Sequence, residues 1–565
     1  MNLAGVAPGL VQFRGYQRKW LRGDVLAGLT VAAYLVPQVM AYGSLAGLQP
    51  VAGLWAALGP LAVYAVFGSS RQLSVGPEST TALMTAAVLA PFVVGDAGRY
   101  AALAAAVAIL VGAVCFLAGL ARLGFLANLL SRPVLVGYMT GIAVVMVASQ
   151  LEKLTGIPVR GDAFIEQIRS LAAGVAQAHW PTIALAAAVL VALLAMGRWL
   201  PRVPGPLIAV LAATAVVWLF SLDSNGIGVV GQVPRGFPRP TVPDVSLHDF
   251  ASLVLPACGI AIVAFSDNIL TARTFAARRG EILDANAELR ALGLCNAAAG
   301  VTPGFPVSSS GSRTALGDAV GSRTQMFSLI MLAVVLVVML FAHDVLASFP
   351  NAALGALIVF AAMRLVDVQA FRRLARFRRS EFVLACLTTA AVLGLGILYG
   401  VLVAVGLSIL DLLRRVAHAH DSVLGFVPGL AGMHDIEDYP DAQPVPGLVV
   451  YRYDAPLCFA NAEDFRKRAL RAVDTNPVPV EWFVLNAEAN VEVDLTALDA
   501  LDALRAELTG RGIVFAMARV KHDLHDALQA ARILDKVGED RIFMTLPTAV
   551  EAFNQRRTGP VTPSD

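Results

Sequence analysis

The sequence predicts a helical membrane protein that crosses the bilayer many times and carries a small α/β domain at its C-terminal end. Of its 565 residues, 57% are hydrophobic and only 15% are charged, whereas soluble domains usually carry about 25% charged residues. Residues 23–412 consist mostly of long apolar runs, and residues 420–565 have the composition of a soluble domain. The net charge of +2 gives no support for nucleic-acid binding.

Fourteen segments are apolar enough to be spanning helices. Such a helix needs roughly 20 predominantly apolar residues, and somewhat fewer where it is broken inside protein. We predict the first seven near 24–42, 51–67, 77–94, 100–120, 131–150, 181–197 and 205–221. The second seven are predicted near 251–269, 285–301, 306–320, 325–342, 351–363, 380–396 and 397–412.

The distribution of basic residues supports this count through the positive-inside rule. With a cytoplasmic N-terminus, the even-numbered connections carry Arg71, Arg122, Arg132, Arg198, Arg202, Arg273, Arg278, Arg279, Arg290, Arg323 and the arginine-rich run 364–379. The odd-numbered connections carry only Arg99, Lys153, Arg160, Arg169, Arg235 and Arg239. An even number of spans returns the C-terminal domain to the cytoplasm. We therefore expect a multi-pass protein of the inner (plasma) membrane with both termini cytoplasmic.

The segment boundaries follow from these patterns. We expect a cytoplasmic N-terminal segment at 1–22, a transmembrane domain at 23–412, a linker at 413–445, an α/β domain at 446–556 and a disordered tail at 557–565. The five cysteines show no paired spacing, so neither a disulfide framework nor a metal site is expected. No phosphate-binding glycine loop or catalytic constellation is present in the sequence, so an enzyme with a bound cofactor is not expected.

Seven plus seven spans suggest an internal repeat of inverted topology. The third segment of each half opens with glycine, proline and hydroxyl residues, in the runs 74–80 and 303–314. Broken helices at matching positions indicate a binding site near the membrane midplane. Close helix packing alone also uses small residues, but it does not require equivalent positions in the two halves.

Two helix N-termini that face each other favour an anion. Each exposes unpaired backbone N–H groups and about half an elementary positive charge. The hydroxyls of residues such as Ser79 and Ser310 add donors for an oxyanion. Arg313 supplies a fixed positive charge, which is costly inside a membrane and therefore indicates function.

Several motifs resemble the SulP family of sulfate permeases and related anion transporters, over nearly the whole chain. They are the runs 37–42, 47–50, 67–71, 73–77 and 305–314. The resemblance implies two intertwined seven-helix inverted repeats and, usually, homodimers. It also implies a core domain of helices 1–4 and 8–11 that moves against a gate domain of helices 5–7 and 12–14, in an elevator-like cycle.

The resemblance places the anion pocket on five residues: Gln38, Tyr42, Glu78, Ser312 and Arg313. It also places an acidic residue tied to proton or sodium coupling at Asp267. Asp267 is the only ionisable residue in the run 260–270. Thr271 lies one helical turn further on, so the two side chains share a face that suits a cation. The alternative is that Asp267 pairs with Arg273 or Arg313 for structural reasons.

Glu78 departs from the family pattern, in which many relatives have an apolar residue. An ionised carboxylate there would repel the anion. Three alternatives remain: Glu78 is protonated and takes part in proton coupling, it pairs with Arg313 until substrate binds, or it turns away and caps its own helix. The sequence favours proton coupling through Glu78 and Asp267.

The C-terminal region resembles the STAS domain that follows SulP transport modules, through the runs 452–457 and 459–462. We predict strands near 447–453, 457–460, 482–487, 513–518 and 542–545, and helices near 461–473, 495–508, 524–537 and 548–556. In related anti-sigma-factor antagonists a serine at the second helix start is phosphorylated. Leu495 occupies that position, so phosphorylation switching is not expected unless Thr496 substitutes.

The sequence favours a secondary active transporter that couples sulfate uptake to protons. A sodium-coupled bicarbonate transporter is the close alternative, because hydroxyls and helix ends accept either oxyanion and the Asp267–Thr271 pair suits sodium. An uncoupled anion channel is a further alternative. An anion sensor that signals through its STAS domain is an alternative of another class, and it would bind an anion without flux. The expected partners are therefore sulfate or bicarbonate, H+ or Na+, membrane lipid and a second copy of the chain.

Overall fold

The structure is a computed structural model that describes residues 7–92, 96–128, 131–159, 164–200, 203–234, 236–281 and 283–558. Residues 1–6 of the expected N-terminal segment, the expected tail beyond 558 and the basic residues Arg160, Arg202 and Arg235 lie outside these ranges. The chain divides into two compact units with the boundary between Ser408 and Ile409.

The first unit is helical apart from one pair of short strands. Its helices are α1 Pro8–Arg14, α2 Arg18–Leu45, α3 Val51–Phe67, α4 Ser79–Leu89, α5 Ala97–Leu120, α6 Arg132–Ser149, α7 Leu151–Thr155, α8 Phe164–Ala173, α9 Trp180–Trp199, α10 Gly205–Leu219, α11 Leu247–Ala277, α12 Ala285–Val301, α13 Gly311–Val320, α14 Met326–Phe341, α15 His343–Ala347, α16 Asn351–Leu365, α17 Val368–Phe377, α18 Arg379–Leu395 and α19 Ile397–Ala417. The strands are β1 Val75–Gly76 and β2 Ser308–Ser309.

Each of the fourteen predicted segments coincides with one of these helices. The five additional helices α1, α7, α8, α15 and α17 are short and were not predicted. In the described part of the chain, six helices are long and apolar enough to cross a membrane by length and composition, and four shorter apolar helices accompany them. Hydrophobic run length therefore predicted the positions of the long helices well.

Glycines at helix crossings let the backbones approach closely. A Cβ added at Gly53 of α3 would collide with the carbonyl oxygen of Val39 in α2. A Cβ at Gly112 of α5 would lie 2.7 Å from the carbonyl oxygen of Gly293 in α12. Small residues at such contacts provide van der Waals packing where lipid removes the hydrophobic driving force between helices.

The third and tenth of the fourteen helices, α4 and α13, are short and each follows a strand. They have 11 and 10 residues. Strands β1 and β2 pair antiparallel, with Val75 opposite Ser309 and Gly76 opposite Ser308. An antiparallel pair of strands at matching positions of the two halves agrees with the inverted repeat that the sequence predicts.

The second unit is built on a six-stranded sheet of order β4-β3-β5-β6-β7-β8. Its strands are β3 Asp421–Phe426, β4 Met433–Asp435, β5 Leu448–Tyr453, β6 Trp482–Asn486, β7 Val514–Ala518 and β8 Ile542–Phe543. Strands β5 to β8 are parallel, and β3 pairs antiparallel with both β4 and β5. The helices are α20 Ala462–Asp474, α21 Leu495–Gly510, α22 His522–Ala530, α23 Ile533–Val537 and α24 Leu546–Thr558.

The structure corrects two predictions for this region. The segment 413–445 is not a linker, because α19 continues to Ala417 and strands β3 and β4 extend the sheet. Residues 457–460 do not form a strand, and Leu457 makes a single bridge to Val493. Both errors concern short segments, in which composition alone separates strand from loop poorly.

Apolar side chains pack on both faces of the sheet. Tyr451, Phe483 and Phe515 lie in one cluster with residues of α20 to α23. Trp482 lies in a second cluster with Phe553 of α24. The sequence predicted helices packed against one small sheet. The structure confirms this arrangement and shows helices on both faces of the sheet.

A charged network joins β3 to helix α20. Arg468 donates to Asp421 at 2.7 Å and to Asp464 at 2.9 Å, and the hydroxyl of Tyr451 donates to Asp421 at 2.9 Å. The hydrogen bonds to these two carboxylates raise the pKa of Arg468. The antiparallel strand that the sequence analysis assigned to a linker is therefore tied to the rest of the domain by charge as well as by backbone pairing.

Candidate functional site

The two strand-to-helix junctions meet inside the first unit. The backbone N–H of Ser310 donates to the carbonyl oxygen of Ser74 at 2.9 Å, and the N–H of Ser74 donates to Thr314 Oγ1 at 3.0 Å. Because α4 and α13 begin directly beyond these strands, their N-termini lie close together. The converging helix ends predicted from the matched motifs are therefore present.

Polar side chains of neighbouring helices hold the segments that lead into the strands. Asn296 of α12 donates to and accepts from the backbone of Val307 at 3.0 and 2.8 Å, just before β2. Gln325 donates to the carbonyl oxygens of Ser70 and Leu73 at 2.8 and 3.0 Å, just before β1. These bonds satisfy buried backbone groups that have no helical partner, as a broken helix in a membrane requires.

Arg313 is the central charged side chain of the site and is fully buried. Its Nη1 donates to the carbonyl oxygen of Pro77 at 2.9 Å and to Gln38 Oε1 at 3.3 Å, and its Nε donates to Ser74 Oγ at 3.3 Å. Within the described residues it forms no ion pair, and its Nη2 has no hydrogen-bond partner. The Glu78 carboxylate is within electrostatic range of the guanidinium but makes no hydrogen bond to it among the described residues, so Nη2 remains a donor for a ligand.

Gln38 and Tyr42 extend the site along α2. Gln38 Nε2 donates to the Tyr42 hydroxyl at 2.9 Å, and its other amide atom accepts from Arg313. Both side chains are almost fully buried. The structure thus joins Gln38, Tyr42 and Arg313 in one hydrogen-bonded chain, although Arg313 lies more than 270 residues from the other two in sequence.

The serines of the two junctions have different roles. Ser310 caps α13 by accepting from the backbone N–H of Arg313 at 3.4 Å, and its Oγ lies 3.2 Å from Ser312 Oγ. Ser79, at the start of α4, donates to the Glu78 carboxylate. Ser309, which the sequence did not predict as a site residue, is buried, and its side chain interacts with the side chain of Asp267. Among the described residues of the junctions, Arg313 Nη2 is a donor without a hydrogen-bond partner.

Glu78 caps its own helix. Its carboxylate accepts from the backbone N–H of Thr80 at 2.6 Å and from the Ser79 hydroxyl. It forms no ion pair with Arg313 in the described part of the chain. Of the alternatives considered for Glu78, the geometry matches the one in which the carboxylate caps its own helix. The positive end of the helix dipole stabilises the negative charge there.

Asp267 and Thr271 lie on α11 beside the start of α13. Ser308 Oγ of β2 donates to the carbonyl oxygen of Ala264 at 2.9 Å, one turn before Asp267. A Cβ added at Gly311 would lie 4.0 Å from Thr271 Oγ1. Asp267 is within electrostatic range of Glu78, and it does not form an ion pair with Arg313 within the described residues.

Glu288 is a buried charge that sequence reasoning missed. It is fully buried on α12 and accepts from the Tyr64 hydroxyl at 2.9 Å, from the backbone and hydroxyl of Ser69 at 2.9 and 2.6 Å, from Ser70 N at 3.1 Å and from Asn268 Nδ2 at 3.1 Å. It therefore links the segment before β1 to α11. Glu288 could have been found from the sequence, because it is an ionisable residue inside the predicted span 285–301. The same criterion identified Asp267.

A cavity of about 210 Å³ reaches the site from one side. Ser312 and Tyr34 lie in its wall together with residues of α13, and residues of α9, α10 and α16 form the opposite wall. Arg364 of α16 also lines it and stacks over the Phe360 ring at 4.7 Å from the centroid. Helices assigned to the core domain and helices assigned to the gate domain thus face each other across this cavity.

Comparison with known proteins identifies the family. The model of the sulfate permease family matches residues 21–388, and the model of the STAS domain matches residues 439–549. The chain belongs to the sulfate permease family. It is accordingly a multi-pass membrane transporter of anions and not an enzyme, and the matched ranges agree with the two units of the structure.

Relatives and solved structures agree with this assignment. A probable sulfate transporter of Mycobacterium tuberculosis is 69% identical over 98% of this chain and 99% of its own length. The murine anion transporter Slc26a9 has the same fold, with a TM-score of 0.89 at 24% identity over 98% of this chain and 94% of its own. The transmembrane domain of the cyanobacterial bicarbonate transporter BicA covers 70% of this chain and 98% of its own at 22% identity, with a TM-score of 0.60.

Proposed function

We propose that the protein is a secondary active transporter that takes up sulfate together with protons. The observation that carries this proposal is the buried Arg313 with a free Nη2 at the meeting point of two helix N-termini. Guanidinium, backbone N–H and hydroxyl donors bind oxyanions with charge-assisted hydrogen bonds. The M. tuberculosis relative, a probable sulfate transporter, supports sulfate as the anion.

Proton coupling is assigned to Asp267, with Glu78 as its electrostatic neighbour. Both carboxyl groups are partly buried near the junctions and are within electrostatic range of each other. A proton on Asp267 offsets the negative charge that an anion brings to Arg313, so that the two bind together. Glu78 caps α4 and is within electrostatic range of Arg313, but its carboxylate does not occupy Arg313 Nη2, which is left for the substrate.

Alternating access follows from movement of the core helices against the gate helices. The cavity between α13 and the helices α9, α10 and α16 supports this proposal, because it separates these two groups of helices beside Ser312. We further propose a homodimer in the inner (plasma) membrane, which the family resemblance implies. Both termini lie in the cytoplasm in this proposal, which the bias of basic residues supports.

The test is uptake of labelled sulfate into proteoliposomes at acid and alkaline pH, with and without sodium. Sulfate uptake should rise with an inward proton gradient and be independent of sodium. Arg313→Ala should lower it by roughly tenfold or more, because a hydrogen bond from a charged group contributes about 1.5–3 kcal/mol. Arg313→Lys keeps the positive charge but loses the planar set of guanidinium donors. Its sulfate uptake should therefore lie between that of wild type and that of Arg313→Ala. Arg169→Ala, at an exposed arginine, is the control.

Sodium-coupled bicarbonate transport is the second candidate, favoured by the position of Asp267 and Thr271 on one face of α11 next to α13. Carboxylate and hydroxyl oxygens are suitable sodium ligands at this position. Sodium-dependent uptake of labelled bicarbonate, abolished by Asp267→Asn, would replace the sulfate proposal. Binding of either anion without flux would instead support a sensor.

A further inference from the structure

A second polar cavity lies away from the candidate site. It has a volume of about 490 Å³ and is lined by Lys19, Trp20 and Gly23 of α2 and by Gly321 and Arg323, in the turn between α13 and α14. Its volume is within the range of small-molecule sites. None of its five residues has a role in the proposed transport cycle.

Two glycines form the base of this cavity. A Cβ added at Gly23 would lie 2.5 Å from the carbonyl oxygen of Gly321, so the two backbones are in direct contact. Gly321 has a φ of +109°, a conformation that side chains disfavour. Because the two glycines have no side chains, the side chains of Lys19, Trp20 and Arg323 are the groups of this lining that can contact a ligand.

Among the described residues, the two basic side chains of this cavity have no acidic partner. In the described part of the chain, neither Lys19 nor Arg323 forms an ion pair. Asp24, on the same helix, is fully buried. Its carboxylate accepts from the backbone N–H groups of Arg323 and Thr324 at 2.6 and 3.2 Å and from the Thr324 hydroxyl at 2.8 Å. The charges of Lys19 and Arg323 are therefore available to an external anion.

The position of Lys19 and Trp20 at the start of α2 indicates that such an anion would lie at the membrane interface. Basic and tryptophan side chains at the end of a spanning helix mark the membrane interface. The Trp20 ring packs edge-on against Tyr16, with the centroids 5.9 Å apart. Further along α2, the exposed Leu26 lies two turns from Lys19 on the same face, and the exposed Leu29 follows at i+3, so the two provide apolar surface beside the charged cavity. A charged cavity next to an exposed apolar helix face matches an amphiphile better than a free ion.

We propose that this cavity binds the phosphate of an anionic phospholipid. Lys19 and Arg323 pair with the phosphate, Trp20 lies at the level of the glycerol backbone, and the acyl chains lie along Leu26 and Leu29. Basic pockets between membrane helices are suited to acidic headgroups. The site is independent of the anion site at Arg313, which carries the substrate proposal.

The test uses quenching of Trp20 fluorescence by lipid. The full chain is placed in vesicles of phosphatidylcholine with an added fraction of phosphatidylglycerol, with either lipid brominated in the upper acyl chains. Each protein is paired with its Trp20→Phe counterpart, because the chain has six tryptophans and the difference isolates Trp20. The variant is Lys19→Ala/Arg323→Ala. The control, Arg372→Ala/Arg376→Ala, removes the same charge from two exposed arginines of α17.

We expect brominated phosphatidylglycerol to be preferred at Trp20 by about 30-fold, since each basic side chain near an anionic surface contributes about fivefold. The preference should be lost in the Lys19→Ala/Arg323→Ala variant and kept in the control. Equal quenching by the two lipids, or an unchanged preference in the variant, would overturn the proposal. Displacement of the lipid by millimolar inorganic phosphate would show a site for free phosphate and would overturn the lipid assignment.

Discussion

Glu288 and Arg313 are both fully buried in the transmembrane unit, but they differ in how completely their hydrogen-bonding groups are satisfied. Glu288 accepts five hydrogen bonds or more from neutral donors, so its charge is solvated by the protein itself. Arg313 retains a free Nη2 among the described residues. A buried charge with all its hydrogen bonds satisfied holds a fold together, and one with a free donor keeps a group ready for a ligand.

Glu288→Gln is predicted to destabilise the transmembrane unit by about 1–3 kcal/mol. The amide keeps the shape but turns an NH2 group toward donors such as the Tyr64 hydroxyl and Ser69 N–H, which then lose their acceptor. The thermal unfolding midpoint of the purified protein in detergent measures the loss. Glu166→Gln, at an exposed glutamate of α8, should leave the midpoint unchanged. A midpoint equal to wild type in Glu288→Gln would contradict the structural role.

At the scale of elements, the short helices α4 and α13 depend on their neighbours. Each follows a two-residue strand, and its lead-in segment is held by side chains of other helices, Gln325 for β1 and Asn296 for β2. Isolated helices of this length are unstable, so tertiary contacts must maintain them. The N-termini of α4 and α13 are thus positioned by the surrounding part of the transmembrane unit.

Gly53→Ala is predicted to prevent normal packing of α3 on α2, because the added methyl group would collide with the Val39 carbonyl. Backbone atoms cannot rotate away as side chains do, so the helices must separate. Size-exclusion chromatography of the detergent-extracted protein should show aggregation or loss of the main peak. Gly394→Ala, whose Cβ would meet nothing within 4 Å, is the control and should elute as wild type. A normal profile for Gly53→Ala would show that the crossing can widen without cost.

At the scale of the whole transmembrane unit, the cavity beside Ser312 connects the anion site to Arg364. A basic residue in a narrow, low-dielectric passage raises the local concentration of anions. Its guanidinium is supported by the Phe360 ring and therefore keeps a defined position. In the proposed transporter, Arg364 would therefore attract the anion and Arg313 would bind it.

Arg364→Gln is predicted to raise the KM for sulfate uptake by about three- to tenfold at low ionic strength, with a smaller effect on the maximal rate. The difference from wild type should shrink as salt rises, because screening weakens the attraction. Initial rates in proteoliposomes over a salt series measure both quantities. Arg372→Gln removes an exposed charge from α17 and should leave the KM unchanged. A salt-independent loss would show that Arg364 acts by packing instead.

The sequence predicted the positions of the long helices and part of the candidate site. Run lengths and the bias of basic residues located the fourteen helices, since membrane insertion depends on local hydrophobicity. Matched glycine, proline and hydroxyl clusters located the junctions at 74–80 and 303–314. Strands β3 and β4 were missed, because short strands at 421–426 and 433–435 become visible only through the pairing that joins them to β5.

By itself, the sequence determined the membrane class, the number of long helices, the two junctions and the identity of Arg313 as a costly buried charge. Only the tertiary structure decided that no carboxylate among the described residues hydrogen-bonds to Arg313, that Glu78 turns to cap α4, and that Glu288 is held by donors from three segments. Hydrophobicity and chain direction are local properties of a sequence. Charge compensation depends on which side chains meet across hundreds of residues, and that is set by packing.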